Sequence, residues 1–557
     1  MFIRVKASGP RKYLQIVENR WEKGKVRQKV IATLGRVEKL KESGSLDSLL
    51  RSGARFSEEL AIIDSYKKGT APTVSDQKIG LPMVFERLWK ETGISSAIEG
   101  HLRERKFRFS VERAVFLTVL HRLSESGSDR AAEKWKAEYK IEGAEGIGLQ
   151  HLYRAMGWLG EELGEEGQGG ATPFVPRCTK DVIEEGIFEQ SRDLFRDLSL
   201  VFFDTTSIYF EGEGGQEIGA YGNSKDHRHD LKQMVVGIII DSEGRPICSE
   251  LWPGNTTDVK TLVPVIERLR VRFGIGKVCI VADRGMISRE TIRDLEDKGI
   301  EYILGARMRR QKEVKEEVLG RAGRYKEVYA KGPHSKSPSP LKVKEVMVRD
   351  KRYIVCYNED QAKKDAADRE KITASLKDKL KQGQKSIVGN KGYRRYLKSA
   401  GETFRIDEDK IKEESRYDGK WVLTTNTGLS AEDVALQYKQ LWMVEQIFRS
   451  MKSILSTRPI YHKCDETIRG HVFCSFLALL LIKELQERLD KKGWQVEWAY
   501  LINDLERVKE VRIMTGDKEV TLRTELKGDA GKAFQAVGVA VPPTVRVNMN
   551  EENTVNS

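Results

Sequence analysis

The alternation of hydrophobic and polar positions divides the chain into stretches of different character. Residues 13–33 alternate as two strands and predict a β-hairpin with its turn at residues 22–25. From about residue 80 to 195 apolar residues recur every three or four positions, as at Val84 and Leu88, which predicts helices. From residue 198 short apolar runs alternate with turns, so the pattern predicts a change to an α/β region.

Five strands and two helices are predicted in this α/β region. The strands cover residues 198–203, 234–240, 246–251, 278–282 and 302–305. Thr257 and Asp258 are expected to cap a helix that ends near Phe273, and Ser288 a second one. The order β-β-β-α-β-α-β is that of the ribonuclease H-like fold, a mixed five-stranded sheet with helices. In that fold the first and fourth strands lie side by side.

A mixed α/β insertion follows, with strands at 325–330 and 342–357, a proline-rich segment at 333–340 and a charged helix at 361–382. A strand at 421–425 then leads into a long helix from about Ala431 to Met451. A hydrophobic helix at 468–488, short strands near 509–525 and a disordered tail from Asn548 complete the pattern.

These elements divide the chain into six expected segments. They are a β-hairpin region (1–75), a helical DNA-binding or assembly domain (76–197), the first part of the core (198–306), a basic insertion domain (307–418), the second part of the core with the long helix (419–490), and a C-terminal segment with its tail (491–557).

The distribution of charged residues distinguishes one of these segments from the rest. The chain has a net charge of +13, and residues 307–418 hold 31 basic and 19 acidic side chains, a net of +12. Such a segment is either a solvated lysine-rich surface or a contact for an anion, and nucleic acid is the obvious one because each neutralised phosphate releases counterions.

The longest apolar run, 472–482, is too short to span a bilayer. With no leader pattern and six cysteines without paired spacing, we expect a cytoplasmic protein without disulfides or zinc.

Two aspartates follow buried strands of the α/β region. Asp204 closes the predicted first strand and Asp283 closes the fourth. Either one alone is explained as well by an Asp that caps a turn. Because the first and fourth strands are neighbours in the expected fold, the two carboxylates should meet although they are 79 positions apart. A buried carboxylate needs a partner or a metal ion, so the pair predicts a metal site.

A third carboxylate is predicted on the long helix. Tyr438, Glu445 and Lys452 are spaced by seven, which is two helical turns, and therefore share one face. Glu445 would lie at the edge of the packing face, where it could complete the metal site. The alternative is an exposed Glu on an ordinary amphipathic helix. The packing face itself is marked by the apolar stripe Val434, Leu441, Phe448 and Leu455.

This constellation resembles the DDE transposases of bacterial and archaeal insertion sequences, in the IS-four-like group. That group is marked by Tyr-x-x-Arg-x-x-x-Glu-x6-Lys, and here Tyr438, Glu445 and Lys452 match. Leu441 stands at the arginine position, and Arg449, one turn beyond the glutamate, is the candidate substitute for the missing cation. Segments 222–233 and 252–258 and the large insertion also resemble the group, and the similarity covers roughly residues 195–485.

The resemblance implies a DNA transposase with Asp204, Asp283 and Glu445 as its catalytic and metal-binding residues. They would hold two Mg²⁺ (or Mn²⁺) ions, which prefer oxygen ligands. Water would cleave the element ends, and the freed 3′-OH would attack the target DNA. A homodimer assembled on two DNA ends is also implied. The residues expected to contact double-stranded DNA are Tyr438, Lys452, Arg449, Lys225, Arg228 and Trp421.

Several interpretations remain open from the sequence. A ribonuclease H-like nuclease that cuts without joining, or an inactive DNA-binding derivative, would carry much of the same pattern. Trp421 either stacks on a DNA base near the cleavage site or packs in its strand's core. His227 and His229 could bind zinc, but their basic neighbours favour a DNA-facing loop. We expect Asp258 to cap its helix, and we expect each of two loop aspartates to pair with an adjacent base: Asp226 and Asp230.

The basic segment gives a first prediction. Replacing four or five lysines within residues 307–418 by Gln should weaken binding to DNA of any sequence, because phosphate contacts carry no sequence information. Each lost contact should flatten the logarithmic salt dependence of the binding constant by about 0.9. Fluorescence anisotropy over a salt series measures both, and an unchanged slope would mean that the charge only keeps the protein soluble.

Overall fold

The computed structural model describes residues 1–22, 25–54, 69, 73–103, 105–172, 175–190, 199–275, 277–329, 340–382, 395–400, 403–515 and 518–548. The two central residues (23–24) of the hairpin turn predicted at 22–25, most of the proline-rich segment and the predicted tail after Asn548 lie outside the described residues. The chain forms two compact units. One comprises Met1–Leu81, Glu138–Lys140 and Glu497–Ser557, and the other Pro82–Ala137 and Ile141–Val496.

The described strands are β1 (Phe2–Ser8), β2 (Arg11–Glu22), β3 (Lys25–Arg36), β4 (Thr73–Lys78), β5 (Leu200–Tyr209), β6 (Gln233–Ile240), β7 (Pro246–Pro253), β8 (Cys279–Ala282), β9 (Glu301–Gly305), β10 (Lys326–Val328), β11 (Leu341–Val348), β12 (Lys351–Tyr357), β13 (Leu397–Ala400), β14 (Thr403–Ile406), β15 (Lys420–Thr425), β16 (Lys509–Thr515), β17 (Lys518–Arg523) and β18 (Val545–Asn548).

The described α-helices are α1 (Val37–Glu42), α2 (Ser45–Ala54), α3 (Gly80–Glu91), α4 (Ile94–Leu102), α5 (Val111–Ser124), α6 (Asp129–Trp135), α7 (Leu149–Leu159), α8 (Thr179–Gln190), α9 (Leu262–Phe273), α10 (Arg289–Asp297), α11 (Glu359–Gln382), α12 (Glu408–Ser415), α13 (Ala431–Lys439), α14 (Trp442–Ser453), α15 (Asp465–Lys491), α16 (Trp498–Glu506) and α17 (Ala530–Val537). Short 3-10 turns include Asp258–Lys260 and Arg284–Met286, and one π-helical turn covers Val314–Val318.

The first unit contains two antiparallel sheets. The predicted hairpin is confirmed as β2 and β3, and β1, which the pattern did not predict, pairs with the other side of β2. The second sheet has the order β18-β17-β16-β4 and contains the predicted strands near 509–525. Its four central apolar side chains are buried against one another: Val511, Ile513, Val520 and Leu522.

The second unit is a mixed α/β structure built on a nine-stranded sheet of order β10-β11-β12-β15-β9-β8-β5-β6-β7. All five predicted core strands are present, and β5 and β8 are neighbours as expected. β8 runs parallel to both β5 and β9, whereas the other pairs are antiparallel. Strands β10, β11 and β12 of the segment 307–418 extend the same sheet through β15.

The central strands are apolar on both faces. All eight residues of β6 are buried, and β8 is buried over its whole length, as expected for strands that are covered on both sides. Helix α9 packs Val265, Ile266 and Leu269 against this sheet, within a cluster that includes Phe203 and Ile280. Helix α10 starts at the predicted cap, since the Ser288 hydroxyl accepts the Thr291 N–H at 2.9 Å.

Two predicted elements are wrong in a way that concerns the site. The long helix over 431–451 is interrupted, because the N–H groups of Gln440 and Leu441 donate to carbonyls three residues back rather than four. Tyr438 and Glu445 are therefore on two separate helices, so the argument that they share a face of one continuous helix does not hold. Asp204 also does not end its strand, since β5 continues to Tyr209.

A buried ion network ties helix α8 to the sheet. Arg272 of α9 donates to Glu184 at 2.6 Å and to Glu250 of β7 at 3.1 Å, and it lies 3.2 Å from Asp181. Lys180 and Arg268 complete the network. All six side chains are at most 4% exposed, so each acid depends on these bases for its charge balance.

Arg272→Met should therefore lower the free energy of unfolding by about 3–5 kcal/mol, because it leaves buried carboxylates without a cation. Urea unfolding followed by circular dichroism measures the loss. Arg270→Met, on an exposed position of the same helix, is the matched control and should cost less than about 0.5 kcal/mol. Equal effects of the two substitutions would contradict the structural role of the network.

Candidate active site

Asp204 and Asp283 are brought together by the pairing of β5 with β8. The parallel register ends at Phe203 opposite Ala282. Asp204 and Asp283 are the next residues on the two chains, so they occupy adjacent positions where the strands separate. Asp283 is exposed and Asp204 is partly buried. This is the arrangement expected from the order of the strands.

The electrostatic environment of Asp204 is unfavourable for its charge. The pKa of Asp204 is raised to about 6, chiefly by burial and also by the carboxylates of Asp283 and Asp258, against the lowering effect of Lys225 and of one backbone N–H. That N–H belongs to Thr205 and donates at 2.7 Å. The carboxylate is therefore held in a place where negative charge is incompletely compensated.

Asp258 is a further functional candidate, and the prediction that it caps its helix is wrong. Its carboxylate does not cap the following helix: one oxygen accepts the Thr205 hydroxyl at 2.7 Å, and the other lies 3.4 Å from the Lys225 ammonium. Lys225 also donates to the Thr205 carbonyl at 2.5 Å and to its hydroxyl at 2.9 Å. Asp258 thus belongs to the acidic group around Asp204. The spacing from Asp204 in the sequence gave no signal for this.

Tyr438 contacts the second aspartate. Its hydroxyl donates to Asp283 at 2.9 Å, and burial together with that carboxylate raises the pKa of Tyr438. Gly305 at the end of β9 makes the approach possible, since a Cβ at that position would collide with the Tyr438 hydroxyl. The tyrosine therefore fixes the orientation of Asp283 from the side of α13.

Glu445 lies on the first half of α14, a helix that contacts β5 and β6. Its side chain is exposed, and none of the described residues forms a hydrogen bond or an ion pair with it. Asp204, Asp283 and Glu445 do not form a group with all ligand atoms within 4.8 Å of one another, among the residues described. Mutual repulsion opposes such an approach by three carboxylates unless a cation lies between them.

Basic side chains surround the neighbouring loop. Asp226 accepts from Lys452 of α14 at 2.9 Å and lies 3.2 Å from Arg458. The expectation that Asp226 pairs with an adjacent base is therefore wrong, whereas Asp230 does pair with Arg228, at 2.9 Å. The guanidinium groups of Arg228 and Arg458 both lie over the ring of Tyr209. These contacts gather cations from three separate segments beside β5.

The remaining predicted DNA contacts differ in exposure. Arg449 is exposed on α14. Trp421 lies on β15, half-buried, and its indole N–H is buried without a hydrogen-bond acceptor among the described residues. Trp442, at the start of α14 and one turn before Glu445, is 48% exposed. The pattern of the sequence did not distinguish the exposed tryptophan from the packed one.

A different group of possible metal ligands lies away from these residues. Asp129, His462 and His471 have ligand atoms within 4.8 Å of one another, the only such group of three in the described part of the chain. Arg122 donates to the His471 Nδ1 at 2.9 Å, so a guanidinium already occupies the lone pair that a metal would need. Burial and this arginine lower the pKa of His471. The group is better explained as a hydrogen-bonded network.

The comparisons with known proteins bear on this site. Residues 196–481, just over half of the chain, match the family model described as the transposase DDE domain. The chain belongs to this family. Residues 3–67 match the model for the N-terminal domain of IS1634 family transposases. No curated protein matches the sequence.

Among solved structures, the transposase is similar to the piggyBac transposase in the structure titled "Cryo-EM structure of piggyBac transposase synaptic complex with hairpin DNA". The identity is 10%, the TM-score is 0.37, and the match covers 77% of this chain and 78% of that chain. No helix among the described residues of the transposase is long and apolar enough to cross a membrane.

The Asp226 contacts give a prediction for the transposase. Asp226→Ala should lower the free energy of unfolding by about 2–4 kcal/mol, because Lys452 and Arg458 are 14% and 27% exposed and would lose their shared anion. Asp230→Ala, in the same loop, removes an exposed pair that solvent screens, so it should cost much less. Denaturant unfolding of both variants tests this, and a larger loss for Asp230→Ala would refute it.

Proposed function

We propose that the transposase cleaves DNA and transfers strands with Asp204, Asp283 and Glu445 as its metal-binding catalytic carboxylates. The observation that carries the proposal is the adjacent position of Asp204 and Asp283 where β5 and β8 separate. DDE transposase domains generally act with divalent metal ions, and two carboxylates at neighbouring strand positions are suitable ligands for them.

The strand order supports a ribonuclease H-like core for this reaction. Strands β7-β6-β5-β8-β9 have the spatial order 3-2-1-4-5 in terms of their sequence order, with α9 and α10 between the later strands. On this proposal residues 198–306 and 419–490 form the two parts of the core. The segment 307–418 is an insertion that contacts DNA, and 76–197 is a helical DNA-binding or assembly domain.

The donor atoms fit a hard divalent cation. Asp204, Asp283 and Glu445 supply oxygen atoms alone, which suits Mg²⁺ or Mn²⁺ rather than zinc. The raised pKa of Asp204, near 6, shows a carboxylate whose charge needs compensation. Two such ions would activate the attacking oxygen and stabilise the leaving one. Glu445 is suited to join them because it is exposed and its helix contacts β5.

The chain's other residues would orient these groups and the DNA. Tyr438 holds Asp283 through its hydroxyl, and Asp258 with Lys225 holds Thr205 beside Asp204. Lys452 and Arg458 converge with Arg228 next to Tyr209, where a DNA phosphate would find several donors. Arg449 is available from α14, and Trp421 remains a prediction for base stacking.

The substrate on this proposal is double-stranded DNA at the terminal repeats of the element and at the target. Each DNA end would be held by one copy of a homodimer, acting on chromosomal DNA of the nucleoid. A pre-cleaved end offered with target DNA tests the joining step by itself. Joined products distinguish a transposase from a nuclease that only hydrolyses.

The central prediction concerns the three carboxylates. Asp204→Asn, Asp283→Asn and Glu445→Gln should each lower Mg²⁺-dependent cleavage and joining by at least about 1,000-fold, since both steps would use the same ions. Gel assays with labelled element ends measure the two rates. DNA affinity in metal-free buffer should change little, because it comes mostly from phosphate contacts.

Asp294→Asn, on the exposed side of α10, is the control and should keep the wild-type rate. Strand transfer close to the wild-type rate by any of the three variants would exclude that residue from the site. Loss of DNA binding together with activity would instead point to misfolding, which a melting curve identifies.

A further inference from the structure

The first 36 residues are a densely basic part of the chain. They contain ten Lys or Arg and two Glu, a net charge of +8 in 36 residues. Residues 307–418 have a net charge of +12 spread over 112 residues. The basic residues lie in and beside the sheet β1-β2-β3, which belongs to a different compact unit from Asp204, Asp283 and Glu445. This charge is not explained by the proposed catalytic site.

The tip of the β2–β3 hairpin is a ribbon two strands wide. β1 pairs with β2 only between Arg11 and Val17, whereas β2 and β3 stay paired out to Glu22 and Lys25. Residues 18–22 and 25–29 therefore form the ribbon, which is about 17 Å long at about 3.4 Å per residue. A two-stranded ribbon of this size fits the major groove of DNA, which is about 12 Å wide.

The two faces of the ribbon follow from its register. Asn19 lies opposite Gln28, and Trp21 lies opposite Val26. All four side chains are exposed, Trp21 by 78%. Because cross-strand partners share a face, one face presents a large aromatic ring and two side-chain amides, and the oxygen of the Gln28 amide accepts from Arg4 at 2.5 Å. Amides of this kind can pair with the edge of adenine.

The other face is basic. Arg20 lies opposite Arg27, and Lys29 lies two residues further along the same face. All three are exposed. Glu18 is their acidic neighbour and forms an ion pair with Arg20 at 2.9 Å. The register therefore places Arg20 and Arg27 together on one exposed face of the ribbon.

We infer that the β2–β3 ribbon is a binding element for duplex DNA, with Asn19 and Gln28 facing base edges and Arg20, Arg27 and Lys29 neutralising phosphates. This inference rests on the proposed action on DNA and adds a contact surface outside the catalytic unit. The net charge of +8 favours DNA over a protein partner. The amide pair adds a means of preferring one sequence, which a uniformly basic surface does not provide.

The test uses the full-length protein in metal-free buffer and two duplexes of equal length. One is taken from the DNA that flanks the coding sequence at the element end, and the other is its scrambled counterpart. Arg20→Gln/Arg27→Gln should weaken binding to both duplexes about 40- to 60-fold at 0.1 M salt. It should lower the salt slope by about 1.8, because two phosphate contacts are lost.

Asn19→Ala/Gln28→Ala should weaken binding to the end duplex by about tenfold or more and leave the scrambled duplex unaffected. Lys39→Gln/Lys41→Gln is the matched control, because it removes two exposed cations from α1 in the same unit. It should change either affinity by less than about twofold. Melting temperatures of all variants should agree, since every substituted side chain is exposed.

Ribbon variants that bind both duplexes like the control would overturn the inference. A loss of self-association with unchanged DNA affinity would also overturn it, by assigning the ribbon to a second copy of the chain. The catalytic proposal is tested separately: the Asp204→Asn variant should bind both duplexes like the wild-type protein but should not cleave the end duplex when Mg²⁺ is added. A negative result in the binding assay of the ribbon variants therefore does not affect the interpretation of the cleavage assay, and the reverse also holds.

Discussion

β5 and β8 pair in parallel as far as Phe203 and Ala282, so the hydrogen bonds of the sheet hold Asp204 and Asp283 side by side. Two carboxylates at such positions repel each other, and individual side chains around them each reduce that repulsion. Lys225 lowers the pKa of Asp204, and Tyr438 donates to Asp283. The sheet provides the proximity, and the neighbouring segments provide only part of the compensation. A divalent cation would provide the rest.

The parts of this arrangement that follow from strand pattern could be predicted from the sequence. Apolar runs predict β5 to β9, and the order of these strands predicts that Asp204 and Asp283 are neighbours. Helix α10 began at its predicted serine cap, because that signal is local. Regular patterns of this kind depend on residues close in the chain, which is why they can be recognised without knowledge of the fold.

The contacts that could not be predicted join distant segments. Asp226 pairs with Lys452, and Asp258 accepts from Thr205, yet each has nearer polar neighbours in the sequence that would have been equally plausible partners. The interruption at Gln440 and Leu441 was hidden because neither residue is a helix breaker. On one side of this turn Tyr438 donates to Asp283, and on the other side α14 contacts β5.

The position of α14, the helix that carries Glu445, depends on how the chain re-enters the nine-stranded sheet after the segment 307–418. β15 pairs with β9 so that Leu423 lies opposite Gly305. This pairing brings together two residues that are 118 positions apart in the sequence. Helix α13 begins six residues after β15 ends, so the direction of the chain into α14 is fixed by the sheet rather than by the intervening segment. Because β10, β11 and β12 add to the edge beyond β15, they extend the sheet without separating β9 from β15. The segment can therefore carry its own basic surface while Glu445 keeps its place beside the strand of Asp204.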